Sequence, residues 1–316
     1  MKSDFKIRLY CCGGAGTNIG LALGQRDDVK ICYIDTSLSN TVEGMPKEQC
    51  FFIPEKDGAG QDRKRIAADV LPFIPSIIEQ FPPADFNIVM FSAAGGSGSV
   101  LGPLITSNLL HNKNTVVALT IGVDDSGKKL ENTINTLKTL ETMSLQTRSS
   151  LVMAYYSNVN GVPQKQTDNE ILFGLEALFE LASQNNHGLD TADLDSWTQF
   201  QRVSPIPPQL AALQIFDNRQ EASGVLEPIS IASLYNNPDK VTAFGNPYYN
   251  TVGHPRNPNP NMPEQLHFVI NVATVDDITK ALAERQTALA RQFSGYRQRR
   301  AIVDVDDNMT QDGLIL

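Results

Sequence analysis

Residues 91–99, with the sequence FSAAGGSGS, constrain the fold of this chain more than any other segment. They follow an apolar run at residues 86–90 that is typical of a buried strand, and they precede a predicted helix at residues 100–110. Small residues at such a turn leave backbone N–H groups uncovered. Free N–H groups and the helix dipole together bind anions at the start of a helix. The segment is therefore either a phosphate-binding loop or a tight packing turn.

Two further glycine turns favour nucleotide binding. Residues 6–12 predict a strand, and residues 19–23 predict a short helix. The turn between them consists of Gly13, Gly14, Ala15, Gly16, Thr17 and Asn18. A third turn, at residues 58–60, precedes a helical pattern that starts at Gln61. Each turn alone is weak evidence, but together they favour one ligand with several phosphates, held from several sides.

The first half of the chain alternates predicted strands with predicted helices, which indicates a doubly wound α/β fold with a mainly parallel sheet. The strand candidates are residues 6–12, 29–35, 50–53, 86–91, 115–121 and 150–156. They are continuous apolar runs, as expected of strands that helices cover on both faces. Pro72 and Pro75 should break the long helical pattern at residues 63–80. Such folds bind ligands at the carboxyl ends of their strands.

A second, smaller α/β domain is predicted to follow a connecting helix. Apolar residues recur at helical spacing over residues 171–182, and Thr167 or Asp168 could cap that helix. Predicted loops lie at residues 205–208 and 245–263, and a strand at 265–273 precedes a long helix at 275–293. The predicted division is a nucleotide-binding domain at 1–167, a connecting helix at 168–187, a second domain at 188–297 and a tail at 298–316.

Charge and cysteine usage exclude several classes of protein. The net charge of −9 argues against nucleic-acid binding through a basic surface. No apolar run approaches the ~20 residues that span a bilayer, and the charged N-terminus is not predicted to be a signal peptide. The four cysteines form no C-x-x-C pair, so buried thiols and a reducing cytoplasm are expected.

The predicted tail mixes acidic and apolar side chains. The residues that carry this pattern are Asp304, Asp306, Asp307, Asp312, Leu314, Ile315 and Leu316. A frayed, solvated terminus is one interpretation. A peptide that docks on a basic, partly apolar groove is the other, and the apolar residues favour docking.

Two rival phosphate-binding motifs match less well. Residues 122–129 nearly form a Walker loop, but a lysine stands where that motif needs a magnesium-binding Ser or Thr. A dinucleotide-binding fold would use Gly14, Gly16 and Asp35, but its third glycine position is Ile19. That alternative would make the protein an NAD(P)-dependent oxidoreductase. A regulator that binds nucleotide without hydrolysing it is the third alternative.

Asp190 and Asp193 lie three residues apart, just after the predicted connecting helix. Two carboxylates at this spacing could position a water molecule or accept a proton. They could equally cap a surface helix, and the residues alone favour capping.

The order of the segments resembles the tubulin/FtsZ superfamily. That family has a glycine-rich first loop, an acidic residue after the second strand, a Gly-Ala-Gly third loop and a GGGTG(S/T)G fourth loop. The matching positions here are residues 13–18, Asp35 with Thr36, residues 58–60 and residues 94–99. The family then has a guanine-reading Asn and an N-x-D-x-x-D loop. Their matches are Asn169 and the pair Asp190 and Asp193.

Departures from the family pattern identify a divergent branch. The fourth loop has Ala94 for Gly and Ser97 for Thr, and the fifth-loop acid falls on Ser126, which leaves Asp124 or Asp125 to replace it. The short chain and its acidic, apolar tail are most similar to the phage-encoded tubulins of the PhuZ type.

The resemblance implies a polymerising GTPase that binds GTP/GDP with Mg²⁺ and forms head-to-tail filaments. Asp190 and Asp193 of one subunit would orient the attacking water at the next subunit's nucleotide, and the tail would dock on a neighbouring subunit. The implied role is to position phage DNA in the host bacterial cytoplasm, without direct binding to nucleic acid or membrane. The implied nucleotide-binding residues are Gly13, Gly14, Ala15, Gly16, Thr17, Asn18, Asp35, Thr36, Gly58, Ala59, Gly60, Ala94, Gly95, Gly96, Ser97, Gly98, Ser99, Asp125 and Asn169.

Overall fold

Six parallel strands alternate with helices in the first half of the chain, which confirms the predicted α/β class. The computed structural model describes residues 6–294, except 25, 44, 55, 57, 160, 184, 185, 243, 246, 257 and 258. The six strands are β1 (Ile7–Cys12), β2 (Val29–Asp35), β3 (Cys50–Phe52), β4 (Phe86–Ser92), β5 (Val116–Val123) and β6 (Leu151–Asn158). Their order in the sheet is β3-β2-β1-β4-β5-β6. The order reverses direction at β1 and β4, where doubly wound folds bind ligands.

The sheet continues without a break into the second half of the chain. Its further strands are β7 (Asn186–His187), β8 (Leu210–Phe216), β9 (Ser230–Tyr235), β10 (Tyr249–Pro255) and β11 (Gln265–Asn271). β8 pairs with β6 in parallel, and β11 pairs antiparallel with both β8 and β9. β10 is parallel to β9 and carries the short β7 on its other edge. The division into four segments stays a prediction.

Helices cover both faces of the sheet. They are α1 (Gly13–Leu23), α2 (Arg63–Val70), α3 (Ile74–Gln80), α4 (Gly98–His111), α5 (Gly127–Thr147), α6 (Gln164–Ala182), α7 (Thr191–Thr198), α8 (Arg219–Ser223) and α9 (Ala273–Ser294). Alternate side chains of β1 point to opposite faces. Leu9 and Cys11 belong to the core beneath α1, α6 and α7, whereas Tyr10 and Cys12 belong to the core beneath α2, α3, α4, α5 and α9. In the described part of the chain, no helix is long and apolar enough to cross a membrane.

Two predicted helix starts were wrong. α1 begins at Gly13 rather than Ile19, because its glycines serve close packing: a Cβ on Gly16 would lie 2.9 Å from the Met90 carbonyl oxygen. α6 begins at Gln164, after Pro163, rather than at a Thr167 or Asp168 cap. Its first three residues are polar and exposed, so apolar periodicity could not reveal this start.

The prolines break the second helical pattern as predicted, but a predicted loop is partly a strand. A 3₁₀ turn at Leu71–Phe73 separates α2 from α3. The segment at residues 245–263 contains β10, whose Thr251, Gly253 and Pro255 are buried in alternation with more exposed neighbours. Its proline lies at the strand end, where no ladder hydrogen bond is lost inside the sheet.

Candidate functional site

A cavity opens at the carboxyl ends of β4, β5 and β6, beside α1 and the N-terminal half of α6. The predicted residues that line it are Ala15, Asn18, Ala94, Gly95 and Asp125. Gln61, Lys129, Asp168 and Leu172 also line it. The cavity therefore lies where the strand order reverses, which is the place that the doubly wound fold predicts for a ligand.

The three glycine turns meet beside this cavity with almost no space between them. A Cβ on Gly13, whose φ is +73°, would lie 2.7 Å from the Gly98 nitrogen. A Cβ on Gly96 would lie 2.3 Å from the Ala59 Cβ. The third turn is also bent by positive φ values, at Gly58 and Gly60. Only bare backbone fits at these approaches, so the turns form one cradle of N–H and C=O groups.

Side-chain hydroxyls fix the shape of the cradle instead of facing the cavity. Ser99 Oγ donates to the Gly95 and Gly96 carbonyls at 2.6 and 3.0 Å. Thr36 and Ser97 share a hydrogen bond between their hydroxyls. The Thr36 carbonyl accepts from the Gly58 N–H at 3.1 Å, which ties the second strand to the third turn. Ser99, Thr36 and Ser97 therefore hold the turns together and are not part of the cavity lining.

Asp35 is buried and is not part of the cavity lining. Its carboxylate accepts from the Thr36 N–H at 2.7 Å and from Asn40 Nδ2 at 2.9 Å. Burial raises the pKa of Asp35 above its usual value, while these hydrogen bonds lower it. Asp35 is only 2% exposed and does not line the cavity, so it is poorly placed to bind a ribose hydroxyl. This weakens the dinucleotide-binding alternative.

Asp168 lines the cavity, and Asn169 does not. Asp168 and Leu172 share one face of α6, as residues four apart on a helix do. Burial raises the pKa of the Asp168 carboxyl. Asn169 is exposed and lies in a neighbouring groove with Tyr156 and Phe173. Asn169, which is predicted to contact guanine, thus lies outside the cavity, whereas Asp168 lies in the cavity wall.

A cation that sequence reasoning overlooked lies at the start of α5. Lys129 Nζ donates to Asp125 Oδ2 at 2.7 Å, and both residues line the cavity. Ser126, where the family's acid was expected, caps α5 by accepting from the Lys129 N–H. The spacing of an acid and a lysine four apart at a helix start could have predicted this pair.

Asp190 and Asp193 lie beyond the other end of α6 and form a capping box on α7. Asp190 Oδ1 accepts from the N–H groups of Ala192 and Asp193 at 2.8 and 3.0 Å. Asp193 Oδ2 accepts from the Asp190 N–H at 3.1 Å, and Asp193 Oδ1 accepts from the Tyr249 hydroxyl at 2.9 Å. Asp190 is exposed, and Asp193 is partly exposed.

The remaining predictions concern the cysteines, metal binding and the tail. Cys11, Cys12 and Cys32 are buried and free, and burial raises the pKa of all three thiols. Among the described residues, no group of three His, Cys, Asp or Glu side chains could hold a metal ion. The tail residues, from Asp304 to Leu316, lie outside the described part of the chain.

Comparison with known proteins gives consistent matches over the whole chain. A family model described as "Phage tubulin-like protein, C-terminal domain" matches residues 189–275. A phage tubulin-like protein of Pseudomonas phage PhiPA3 is 39% identical, over 99% of this chain and 100% of that protein. A protofilament structure of TubZ from bacteriophage PhiKZ matches with a TM-score of 0.93 and 38% identity, over 99% of this chain and 100% of that one. A structure of the phage tubulin PhuZ with GDP matches with a TM-score of 0.92 and 35% identity, over the same shares.

Proposed function

The chain belongs to the family of phage tubulin-like proteins, and we propose that this polymerising GTPase completes each hydrolytic site from two stacked subunits. One subunit supplies the cavity, and the next supplies Asp190 and Asp193. The cavity wall includes Asp168 near the N-terminus of α6, whereas Asp190 follows the C-terminus of that helix. Ala182, the last residue of α6, lies 14 residues after Asp168, which corresponds to about 21 Å along the helix axis. Asp190 lies beyond that end, in a loop that β7 and β10 hold in place. We infer that a subunit does not bring its own aspartates to its own cavity, and this separation carries the proposal.

The cradle fits the phosphates of GTP. The starts of α1 and α4 present backbone N–H groups beside the cavity, and glycines there admit a ligand against the bare chain. Lys129 adds a positive charge to the wall. We propose that GTP lies with its phosphates on the cradle and its base toward α6.

Asp168 is the residue that we propose to read guanine. Guanine presents two N–H donors on its base-pairing edge, where adenine presents an acceptor. The Asp168 carboxylate can accept from both donors, so it would favour guanine and repel adenine. Partial burial strengthens such discrimination, because an unpaired carboxylate in the wall would be costly.

The aspartates act on the water that attacks the γ-phosphate. Asp190 is exposed, so its carboxylate can reach a neighbouring subunit. It would orient the attacking water, while backbone donors of the cradle stabilise the charge that develops on the phosphoryl oxygens. Mg²⁺, bound mainly by phosphate oxygens, would neutralise part of that charge.

Such stacking generates an open filament. A head-to-tail contact uses two different surfaces, so it repeats without closing. Loss of the γ-phosphate would weaken the junction and couple assembly to hydrolysis. We propose that these filaments position phage DNA inside an infected bacterium, and that the tail at 298–316 docks on a neighbouring subunit.

A mixing experiment tests the two-subunit site. Asp190→Asn should bind GTP but fail to activate its neighbour's nucleotide. Ala15→Phe should fill the cavity of a subunit whose aspartates are intact. Each variant alone should hydrolyse GTP slowly. In a mixture, a junction is active when the cavity of an Asp190→Asn subunit meets the aspartates of an Ala15→Phe subunit. Random mixing in equal amounts should therefore restore activity at about a quarter of the junctions.

Two further measurements complete the test. Co-sedimentation with wild-type subunits shows whether each variant enters filaments. The wild-type rate per subunit should rise with protein concentration as junctions form. A rate that stays constant with concentration, or a co-assembled mixture that stays inactive, would contradict the proposal.

A further inference from the structure

β10 supports the loop that carries the two aspartates. β7, at the start of this loop, pairs with the end of β10. Gly188 has a φ of +79°, and a Cβ there would lie 2.8 Å from the Val252 carbonyl oxygen. A Cβ on Gly253 would lie 2.6 Å from Leu189 Cδ1. The loop is therefore pressed against the strand along its length, and its backbone has little freedom.

Tyr249, the first residue of β10, adds a side-chain contact to this support. Its hydroxyl donates to Asp193 Oδ1 at 2.9 Å, while Asp193 Oδ2 accepts from the Asp190 N–H. Both oxygens of Asp193 are thus engaged. Asp190 Oδ1 accepts two backbone N–H groups, and no described residue donates to Asp190 Oδ2. That oxygen is left for a water molecule.

The Tyr249 hydroxyl is suited to donate a hydrogen bond. Burial, together with the adjacent Asp193 carboxylate, raises the pKa of Tyr249 to about 12. The phenol therefore keeps its proton near neutral pH. A protonated phenol stabilises the carboxylate that accepts from it and fixes its rotamer.

We propose that Tyr249 is a positioning residue for GTP hydrolysis, which orients the aspartate pair through its hydrogen bond to Asp193. This inference rests on the proposed two-subunit site. Without the hydroxyl, Asp193 can rotate away from the Asp190 N–H, and the capping box that aims Asp190 loosens. Outer-shell partners that orient reactive groups typically contribute about 10-fold to 100-fold to activity.

The adjacent tyrosine provides a matched control. Tyr249→Phe removes only the hydroxyl, which donates to Asp193 and also has hydrogen-bond contacts with Thr251 and Ser196. Tyr248→Phe makes the same change one residue earlier, at a side chain that is 62% exposed. We expect Tyr249→Phe to lower kcat about 10-fold at saturating GTP. KM for GTP, and assembly with a non-hydrolysable GTP analogue, should stay at wild-type values. Tyr248→Phe should leave every one of these quantities unchanged.

A double-mutant cycle separates positioning from a general structural effect. If Tyr249 acts through Asp193, Tyr249→Phe should slow the wild type about 10-fold but add almost nothing to Asp193→Ala, which has no acceptor for the hydroxyl. Multiplicative effects of the two substitutions would overturn the inference. Weakened assembly of Tyr249→Phe with the analogue would also overturn it, because the hydroxyl would then serve the interface or the fold.

Asp190→Asn distinguishes a failure of this inference from a failure of the proposed two-subunit site. Slow hydrolysis by Asp190→Asn with wild-type hydrolysis by Tyr249→Phe would overturn the positioning role alone. Wild-type hydrolysis by Asp190→Asn would overturn the two-subunit site, and the role of Tyr249 with it.

Discussion

The two ends of α6 differ in the chemical groups that they present, and the proposed two-subunit site assigns them different parts of one reaction. At its N-terminal end, the cradle is built from glycines and backbone groups that pack too closely for side chains. Beyond its C-terminal end, charged side chains are held by a capping box and by Tyr249. Backbone groups are suited to binding phosphate, and oriented carboxylates are suited to directing water. A filament junction would bring the two together, which explains how binding and hydrolysis can be separated in one fold.

The largest single effect that we expect comes from removing the carboxylate that we propose to orient the attacking water. Asp190→Ala should slow GTP hydrolysis at least about 10²-fold, because water positioning and electrostatic stabilisation each contribute on that order. GTP affinity of the monomer should stay the same, since Asp190 lies at the far end of α6 from the cavity. Phosphate release and nucleotide titration measure the two quantities.

Glu141→Ala is the control for loss of an acidic group, since Glu141 is exposed on α5. It should hydrolyse GTP at the wild-type rate. If Asp190→Ala also keeps that rate, Asp190 serves only as a helix cap. The proposed division of roles between the two ends of α6 would then be wrong.

Base selectivity tests the cavity end. Asp168→Ala should reduce the preference for GTP over ATP about 30-fold, because the wall loses its acceptor for guanine N–H groups. Asn169→Ala should leave the preference intact, because Asn169 lies in the neighbouring groove. Competition binding with both nucleotides measures this. Should the asparagine variant lose selectivity and the aspartate variant keep it, the family match to Asn169 would be right and our assignment wrong.

How far the site could be predicted from sequence also differs between the two ends. The cradle could be predicted, because small residues at strand ends leave backbone N–H groups uncovered, and these residues are visible in the sequence. The position of Asp168 in the cavity wall, with Asn169 in the neighbouring groove, was not predictable, because a shift of one residue turns a side chain by about 100° around a helix. Phage tubulin-like membership came from the order of motifs and was confirmed by full-length relatives.

The contact of Tyr249 with Asp193 could not be predicted from the sequence. Tyr249 and Asp193 are 56 residues apart in the chain, and β10 itself lies in a segment predicted to be a loop. A contact of this kind depends on the pairing of β10 with β9, which local patterns do not encode. The strands of the first half of the chain were easier to predict from the sequence, because each is a continuous apolar run that helices cover on both faces.

Packing in the cradle should be sensitive to a single methyl group. Gly96→Ala would place a Cβ 2.3 Å from the Ala59 Cβ, whereas at Gly95 the nearest atom is 3.9 Å away. We expect Gly96→Ala to lower the free energy of unfolding by about 1.5 kcal/mol through overpacking. Gly95→Ala should change it by less than about 0.5 kcal/mol, since its φ is not positive and space is available. Urea unfolding without nucleotide measures both; equal losses would show that the cradle is loosely packed.

The smallest expected effect separates the two roles of Asp190. As the cap of α7, its side chain accepts two backbone N–H groups, so Asp190→Ala should cost about 1 kcal/mol of unfolding free energy. Asp190→Ser keeps a capping oxygen and should stay within about 0.5 kcal/mol of wild type. Serine lacks the carboxylate, so both variants should hydrolyse GTP equally slowly. A serine variant that restored hydrolysis along with stability would mean that the cap, rather than the charge, is what the neighbouring subunit requires.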